Sequence, residues 1–434
     1  MTVSETSAGA GDESSSPAPS GVSRRGLFGL VAAGVGAGAL AGGVAASALR
    51  PPRSPEDSAG AYPFYGEHQA GIVTPAQDRL HFASFDLVEG ATREDLIQLL
   101  QDWSAASARL TRGLDVSEAG AVNGPPLLPP DDTGEAQGLP PSGLTITFGF
   151  GGSLFRTTAG VDRFGLADRK PEALVELPLF PFDLLEESSS GGDLCIQACA
   201  NDPQVAVHAI RNLSRIAFGT ARMRWSQLGF GRTSSTSTAQ ATPRNLFGYK
   251  DGTSNIKAEE PASLDDFVWV GDDEPARWMH GGSYLVARTI LMTIESWDRV
   301  KLEEQDSIIG RTKGEGAPLS GGTEFTEPDF ALRRTDGSTV IPADSHVRLA
   351  HPATSGTRML RRGYNFVDGS NELGQLRAGL FFISYQRSPE QFVAVQSQLA
   401  SDTMNEYIRH VGSALFAVPP GASEGSYVGA GLFA

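Results

Sequence analysis

Residues 195–207 read CIQACANDPQVAV, and residues 381–395 read FFISYQRSPEQFVAV. Each stretch begins with an apolar run typical of a buried strand and continues with an apolar pattern at helical spacing. Between the two patterns, Asp202 and Ser388 each directly precede a proline, which favours the start of a helix because the side chain caps it. A strand, cap and helix that occur twice in this way predict an internal duplication.

The same alternation of strand and helix patterns surrounds the first copy. Apolar runs predict strands over 81–88, 143–151, 193–200 and 222–230, and helical spacing predicts helices over 93–110 and 203–217. The resulting order, β-α-β-β-α-β, is that of a ferredoxin-like unit. We therefore expect an N-terminal ferredoxin-like half over 81–230.

The remainder of the chain, 231–434, is predicted to form a second ferredoxin-like half after a polar linker. Strands are predicted over 283–294, 346–351 and 379–386, with helices over 296–310 and 390–404. Two such halves give an α+β fold in which two antiparallel sheets each carry a helical layer.

The N-terminus has the pattern of an export signal. Twin arginines in SRRGLFGL (23–30) precede a soft apolar run that ends in the small-residue site Ala46-Ser47-Ala48. This arrangement is typical of the twin-arginine route, which would remove 1–48 and leave a leader at 49–80. A membrane anchor is the alternative, but the run is mostly Ala and Gly and would insert poorly. We expect an exported protein, in the cell envelope or outside it, without a stable membrane span after cleavage.

Composition excludes several classes of function. The 434 residues carry a formal net charge of −16, and the sequence shows no run of Lys and Arg, which argues against nucleic acid as a partner. The two cysteines, Cys195 and Cys199, lie on one predicted strand and are expected to be small buried thiols rather than a disulfide. No zinc-binding motif and no glycine-rich phosphate-binding loop ending in Gly-Lys occurs in the chain.

Two segments have residues suited to chemistry. Asp251 lies between glycines in NLFGYKDGTSN (245–255), where it is either an ordinary turn residue or a carboxylate presented for proton transfer. Further along, 344–369 places two histidines shortly before two adjacent arginines, so that a His and an Arg could converge on one cavity. A neutral imidazole is a good axial ligand for haem iron, and an Arg can stabilise a developing oxyanion.

These segments resemble those of the dye-decolorizing peroxidases. GYKDG (248–252) is similar to the family's GxxDG motif, whereas SHVRLA (345–350) and MLRRG (359–363) resemble its haem-ligand and distal-arginine segments. The resemblance runs from about residue 62 to the C-terminus, with the motifs in the family's order. It implies that His346 is the proximal haem ligand, Asp251 the distal acid–base residue and Arg361 the distal arginine.

Neighbouring residues compete for two of these roles. His351 is the alternative to His346, and Arg362 is the alternative to Arg361. The Ser-His-Val context favours His346, and the resemblance favours Arg361, since the family's arginine follows an aliphatic pair as Arg361 follows Met359 and Leu360. Asp251 is then both a turn residue and the acid–base residue that the resemblance implies, since the turn presents its carboxylate.

The resemblance also implies a cofactor and substrates. It predicts one haem b per chain in the C-terminal half, and a peroxidase that reduces hydrogen peroxide while it oxidises bulky organic donors such as dyes and phenolics by one-electron steps. Leu380 and Phe382 share one face of a predicted strand, where they either pack in the core or line the distal haem pocket. The chain could also assemble as a homo-oligomer.

Two other functions remain open from the sequence. Removal of iron from haem, as in the deferrochelatase members of the exported subgroup, would use the same pocket. A non-catalytic ferredoxin-like binding module would share the fold but not the site. The module predicts that Asp251, His346 and Arg361 do not converge.

Overall fold

The computed structural model describes residues 60–434. The predicted signal peptide and the first part of the predicted leader, up to residue 59, lie outside the described residues. No helix in the described range is both long and apolar enough to cross a membrane.

Nine strands and nine α-helices are found within this range. The strands are β1 Arg79–Leu87, β2 Thr145–Gly151, β3 Leu194–Ala200, β4 Ala221–Arg232, β5 Ser283–Met292, β6 Leu360–Arg361, β7 Tyr364–Ser370, β8 Leu376–Gln386 and β9 Ile408–Val418. The helices are α1 Arg93–Leu110, α2 Gly152–Phe155, α3 Pro203–Ile216, α4 Pro261–Phe267, α5 Ile294–Trp297, α6 Leu302–Ile309, α7 His346–Ala350, α8 Pro352–Ser355 and α9 Pro389–Gln398.

The predicted starts of two helices are confirmed. The Asp202 side chain accepts a hydrogen bond from the backbone N–H of Gln204 at 2.7 Å and caps α3. At α9, the Ser388 side chain accepts from the N–H of Glu390, and the backbone N–H of Ser388 donates to Oε1 of Gln391. The predicted element order β-α-β-β-α-β is also found in the N-terminal half, with the four-residue helix α2 added between β2 and β3.

Two predicted elements in the C-terminal half are wrong. The segment 346–351, predicted as a strand, forms helix α7, because it packs as a helix against α6 and α9 and tertiary packing overrides the local pattern. The segment 296–310, predicted as one helix, is broken between α5 and α6. Gln305 stabilises the break, since its side-chain amide donates to the carbonyls of Trp297 and Val300 at 2.9 and 3.1 Å.

The strands form one continuous antiparallel sheet, and the prediction of two separate sheets is corrected accordingly. The strand order is β2-β3-β1-β4 in the N-terminal half and β9-β5-β8-β7 in the C-terminal half. Short ladders between β2 and β9 and between β4 and β7 join the halves into a closed ring. Edge strands left unpaired would expose backbone N–H and C=O groups, and these ladders satisfy several of them.

Alternation along the strands gives the ring two kinds of surface. Side chains that point into the ring, including Phe82, Cys199 and Phe381, form a core shared by both halves. Helices α1 and α3 cover the outer face of the N-terminal strands. The outer face of the C-terminal strands is covered only in part, and this is where the site described below lies.

A buried histidine on α3 should make stability depend on pH. Burial opposes the charged ring of His208, but Asp132 and Glu135, at 3.5 and 3.4 Å, outweigh burial and raise its pKa above the usual value of 6.5. A raised pKa means that the charged form contributes stability fully below pH 6.5, and that this contribution is lost as pH rises through the folded-state pKa.

We expect His208→Gln to lower the free energy of unfolding by about 1–3 kcal/mol at pH 6, because Asp132 is fully buried and loses its charged partner. The loss should shrink at pH 9. Urea unfolding of both proteins at the two pH values measures it, with His280→Gln, at a more exposed position, as the control. An equal loss at both pH values would contradict the charge-based explanation.

Candidate active site

A cavity of about 230 Å³ lies on the outer face of β5, β8 and β9. Helices α6 to α9 and the loop at 245–255 complete its walls. All five residues singled out from the sequence line it: Asp251, His346, Arg361, Leu380 and Phe382. The structure therefore brings together side chains that are up to 131 positions apart in the sequence.

Asp251 is presented by a tight turn. Gly248 and Gly252 on either side have φ of +83° and +86°, a left-handed conformation that glycine adopts at little cost. Asp251 donates its backbone N–H to the carbonyl of Pro243 at 2.9 Å. The chain thus reverses direction on both sides of the carboxylate and directs it to the cavity.

Both carboxylate oxygens of Asp251 have partners. Arg361 donates from Nη1 to Oδ1 at 2.8 Å, and Asn245 donates from Nδ2 to Oδ2 at 3.3 Å. The Asp251 side chain is 16% exposed and that of Arg361 is 29% exposed, so both retain surface toward the cavity. The pair places an acceptor and a cationic donor side by side.

The turn that carries Asp251 is braced from outside by Glu324. Lys250 forms an ion pair with this buried carboxylate, and Thr253 donates its hydroxyl to the other oxygen at 3.1 Å. Because these two partners flank Asp251 in the sequence, Glu324 holds the turn on both sides. Sequence reasoning did not find Glu324, which lies in a long polar loop without a motif.

Alternation on a short strand separates the two competing arginines. Arg361 on β6 points to the cavity, whereas Arg362 points into the ring and is 1% exposed. Arg362 donates to the carbonyl of Thr74 and to the side chain of Gln77, which anchor the segment before β1. Arg362 is therefore a structural residue, and Arg361 is the one of the two that lines the cavity.

His346 is the first residue of α7 and is held by a carboxylate. Its Nδ1 lies 2.6 Å from Oδ2 of Asp402, so in the neutral ring Nδ1 carries the proton and Nε2 is the acceptor. Burial lowers the pKa of His346, but the Asp402 carboxylate raises it by more, so the pKa lies above the usual value of 6.5. Asp251 and Arg361 also act on this pKa through their charges, which places all three groups in one electrostatic site.

Asp402 was missed because the sequence predicted a helix across it. Helix α9 ends at Gln398 instead, and Asp402 accepts a bond from the N–H of Met404 at 2.8 Å at the start of a 3₁₀ turn. The sequence Ser-Asp-Thr at 401–403 is itself a capping pattern and was the available signal.

His351 also lines the cavity, but both of its ring nitrogens are engaged. Nδ1 accepts from the N–H of Ala353 at 3.2 Å, and Nε2 lies 3.1 Å from a carboxylate oxygen of Glu327. His351 thereby serves as the N-cap of α8. This geometry favours His346 as the histidine with a free acceptor nitrogen.

Leu380 and Phe382 lie on the cavity floor, and Phe381 between them packs in the shared core. They pair across β8 and β5 with Ile290 and Arg288, which also line the floor. Both side chains line the cavity and also pack against buried apolar clusters, and their part in a haem pocket stays a prediction.

The floor also contains polar residues that no motif indicated. Arg288 is 1% exposed and forms an ion pair with Asp183, which a loop of the N-terminal half brings to the site. Arg288 also donates from Nε to Nδ1 of His410 at 3.4 Å. Burial, followed by the charge of Arg288, lowers the pKa of His410 to about 3, so this ring is neutral.

Family models match most of the chain. The model described as Dyp-type peroxidase, N-terminal, matches 69–231, and the model described as Dyp-type peroxidase, C-terminal, matches 242–423.

Individual relatives agree with the family models. A deferrochelatase of Escherichia coli K12 is 38% identical over 379 residues, which cover 85% of this chain and 86% of the relative. A deferrochelatase of Yersinia pseudotuberculosis is also 38% identical, over 84% of this chain and 83% of the relative. Among solved structures, an oxyferrous complex of DtpA from Streptomyces lividans is 40% identical with a TM-score of 0.78, covering 88% of this chain and all of that one.

Proposed function

Since the chain belongs to the Dyp-type peroxidase family and is a haem-dependent peroxidase, we propose that it binds one haem b in the cavity of the C-terminal half. His346 is the iron ligand in this proposal, and Asp251 with Arg361 handles the peroxide. The observation that carries the proposal is the convergence of these three side chains on one cavity.

The residues of the cavity fit haem. An iron ligand must offer an unprotonated ring nitrogen, and Asp402 leaves Nε2 of His346 in that form. Leu380, Phe382 and other apolar side chains suit a porphyrin surface, while buried Arg311 at the cavity wall supplies positive charge for haem carboxylates.

Haem supplies the iron at which peroxide binds and is reduced. The Asp251 carboxylate accepts a proton from one peroxide oxygen and returns it to the other, which leaves as water. The Arg361 guanidinium stabilises the negative charge that develops on the leaving oxygen. Organic donors then return two electrons one at a time, with two protons, so that hydrogen peroxide becomes two molecules of water.

Assays of the purified haem-loaded protein test the peroxidase function directly. We expect hydrogen peroxide to drive oxidation of an anthraquinone dye and of a phenol. Iron release, the activity named in the deferrochelatase relatives, would instead give free porphyrin fluorescence and chelatable iron. Haem-loaded protein that oxidises neither donor would contradict the proposed function.

The identical strand order in the two halves supports the proposal that they are duplicated ferredoxin-like units, 81–230 and 231–434. Each order is 4-1-3-2 when the strands are numbered within their half and the two-residue strand β6 is left out. The cavity then occupies the outer face of the second unit. The chain could still self-associate, which sedimentation would measure.

Export by the twin-arginine route is proposed from Arg24 and Arg25 together with the small-residue site at 46–48. Changing both arginines to lysine should retain the protein inside the producing cell, because the route reads the arginine pair. The mature protein should begin near residue 49, which mass spectrometry of exported material checks. Export of the lysine variant at the normal level would contradict this assignment.

Asp402→Asn should weaken haem binding by about 10–100-fold, since Asp402 orients His346 and increases its basicity. Asn can still accept the bond from Met404, so the 3₁₀ turn should persist. Spectroscopic titration with haem measures the affinity. Asp132→Asn is a matched control, because it alters a buried Asp–His pair away from the cavity. Equal haem affinities of the wild type and Asp402→Asn would contradict this role.

A further inference from the structure

Asn255 is a buried residue, four positions after Asp251, and its side chain binds the backbone of Arg361. Oδ1 accepts the backbone N–H of Arg361 at 2.7 Å, and Nδ2 donates to the Arg361 carbonyl at 2.9 Å. Nδ2 also donates to the carbonyl of Ser235 at 3.0 Å, so the amide has three partners. Asn255 is 3% exposed and does not line the cavity.

The Asn255 amide makes the two hydrogen bonds to β6 that a neighbouring strand would otherwise make. Strand β6 has two residues and, among the strands of 60–434, pairs only with β8, where Leu360 lies opposite Tyr385 and Arg361 opposite Ser384. On that side, the N–H of Arg362 donates to the carbonyl of Ile383 at 2.8 Å. The N–H and C=O of Arg361 point the other way, where no strand follows, and Asn255 binds both groups.

The hydrogen bonds join Asp251, Asn255 and Arg361 in a closed loop of contacts. The turn at 251–255 is tightened by a hydrogen bond from the N–H of Asn255 to the carbonyl of Gly252 at 3.1 Å. The Asn255 side chain binds the backbone of Arg361, and the Arg361 side chain in turn donates to the Asp251 carboxylate at 2.8 Å. The side chains of Asp251 and Arg361 therefore cannot shift relative to each other without breaking one of these hydrogen bonds.

We propose that Asn255 is a positioning residue that holds Arg361 and Asp251 in one geometry for the reaction with peroxide. This inference rests on the proposed function, in which those two side chains handle peroxide. Asn255 touches neither the cavity nor the reacting atoms, so its effect acts through Arg361 and the Asp251 turn.

Removing the amide should slow the peroxide step selectively. In Asn255→Ala, the N–H and C=O of Arg361 lose their partners, and a displacement of about 1 Å at a reacting group costs on the order of 100-fold in rate. We expect the second-order rate constant with hydrogen peroxide to fall about 10–100-fold. Haem content, the Soret maximum and the rate of electron transfer from the organic donor should stay at wild-type values.

Asn255→Asp separates hydrogen bonding from the loss of volume. It keeps the shape and the acceptor for the N–H of Arg361, but replaces the donor that faces the carbonyls of Arg361 and Ser235. We therefore expect a loss of peroxide rate here too. If the alanine variant fails to fold, the aspartate variant still tests the proposal.

Fluoride affinity provides a readout besides activity. Bound fluoride is an acceptor that responds to correctly placed donors near the iron, and its dissociation constant is obtained from the absorption spectrum. Asn255→Ala should weaken fluoride binding several-fold. Asn212→Ala is the matched control: Asn212 is also a buried asparagine with several bonds, but it lies on α3 outside the cavity.

Stopped-flow measurements on the four haem-loaded proteins, wild type, Asn255→Ala, Asn255→Asp and Asn212→Ala, decide the question. The positioning role is supported if the peroxide step is slower in both Asn255 variants and unchanged in Asn212→Ala. A wild-type peroxide rate and fluoride affinity in either Asn255 variant would overturn it, as would the same loss in Asn212→Ala. Asp251→Asn, measured in parallel, tests the premise separately: if it reacts at the wild-type rate, the peroxide role proposed for Asp251 has failed, whatever the Asn255 variants show.

Discussion

Asp251→Asn should lower the second-order rate constant with hydrogen peroxide by about 10²–10⁴-fold, the usual contribution of a positioned general acid–base group. The amide has nearly the same shape and can still accept the bond from Arg361, so the cavity should keep its form. It cannot take up the peroxide proton. Stopped-flow absorption at the Soret band measures the rate directly.

The comparison needs a variant that changes charge without touching the cavity. Asp266→Asn on α4 removes one exposed carboxylate from the same half and should react like the wild type. Haem content should be equal in all three proteins. If Asp251→Asn reacted with peroxide as fast as the wild type, proton transfer would have to be assigned to another group.

His346→Ala should abolish the native haem spectrum and the peroxidase activity, because the ring nitrogen left free by Asp402 is lost. The Soret maximum of haem-loaded protein should shift or lose intensity. Activity should fall by at least about 100-fold, since haem without its histidine ligand is bound weakly and held in a poor orientation. Added imidazole should restore part of the spectrum by filling the space left by the ring.

His351→Ala is the decisive companion experiment. Both ring nitrogens of His351 already have protein partners, and the main expected effect is the loss of the α8 cap, about 1 kcal/mol of stability. The haem spectrum should remain. The reverse pattern, in which His351→Ala loses the spectrum and His346→Ala keeps it, would exchange the two assignments.

The N-terminal half was predictable because its signals are local. Helix α1 has the predicted bounds, with a Thr92 capping box and apolar residues at helical spacing, and Asp202 alone determines where α3 begins. Strand bounds in this half differ from prediction by a few residues, since strand ends depend on neighbours in the sheet.

The C-terminal half was less predictable because longer-range packing determines it. Val347 and Leu349 alternate as in a strand, yet α7 forms because its neighbours are helices. The two short ladders that close the ring cannot be read from the sequence, since they join Phe150 with Ala417 and Phe230 with Asn365.

Within the site, residues in a motif could be predicted and their supporting residues could not. The family resemblance indicated Asp251, His346 and Arg361, and the cavity brings all three together. Asp402 and Asn255 bind these residues from distant positions or through a backbone group. Such contacts leave no spacing pattern, and only the fold reveals them.

The closed ring has a consequence for the order of events during biogenesis. Strand β9, at residues 408–418, supplies Ile408 and His410 to the cavity floor and pairs with β2, more than 250 positions earlier. The floor is therefore complete only when nearly the whole polypeptide has left the ribosome, and the ring closes only when β9 has paired with β2. Cofactor insertion into the finished floor must follow this late closure, and an exporting cell has to carry out both steps before translocation if the chain travels folded.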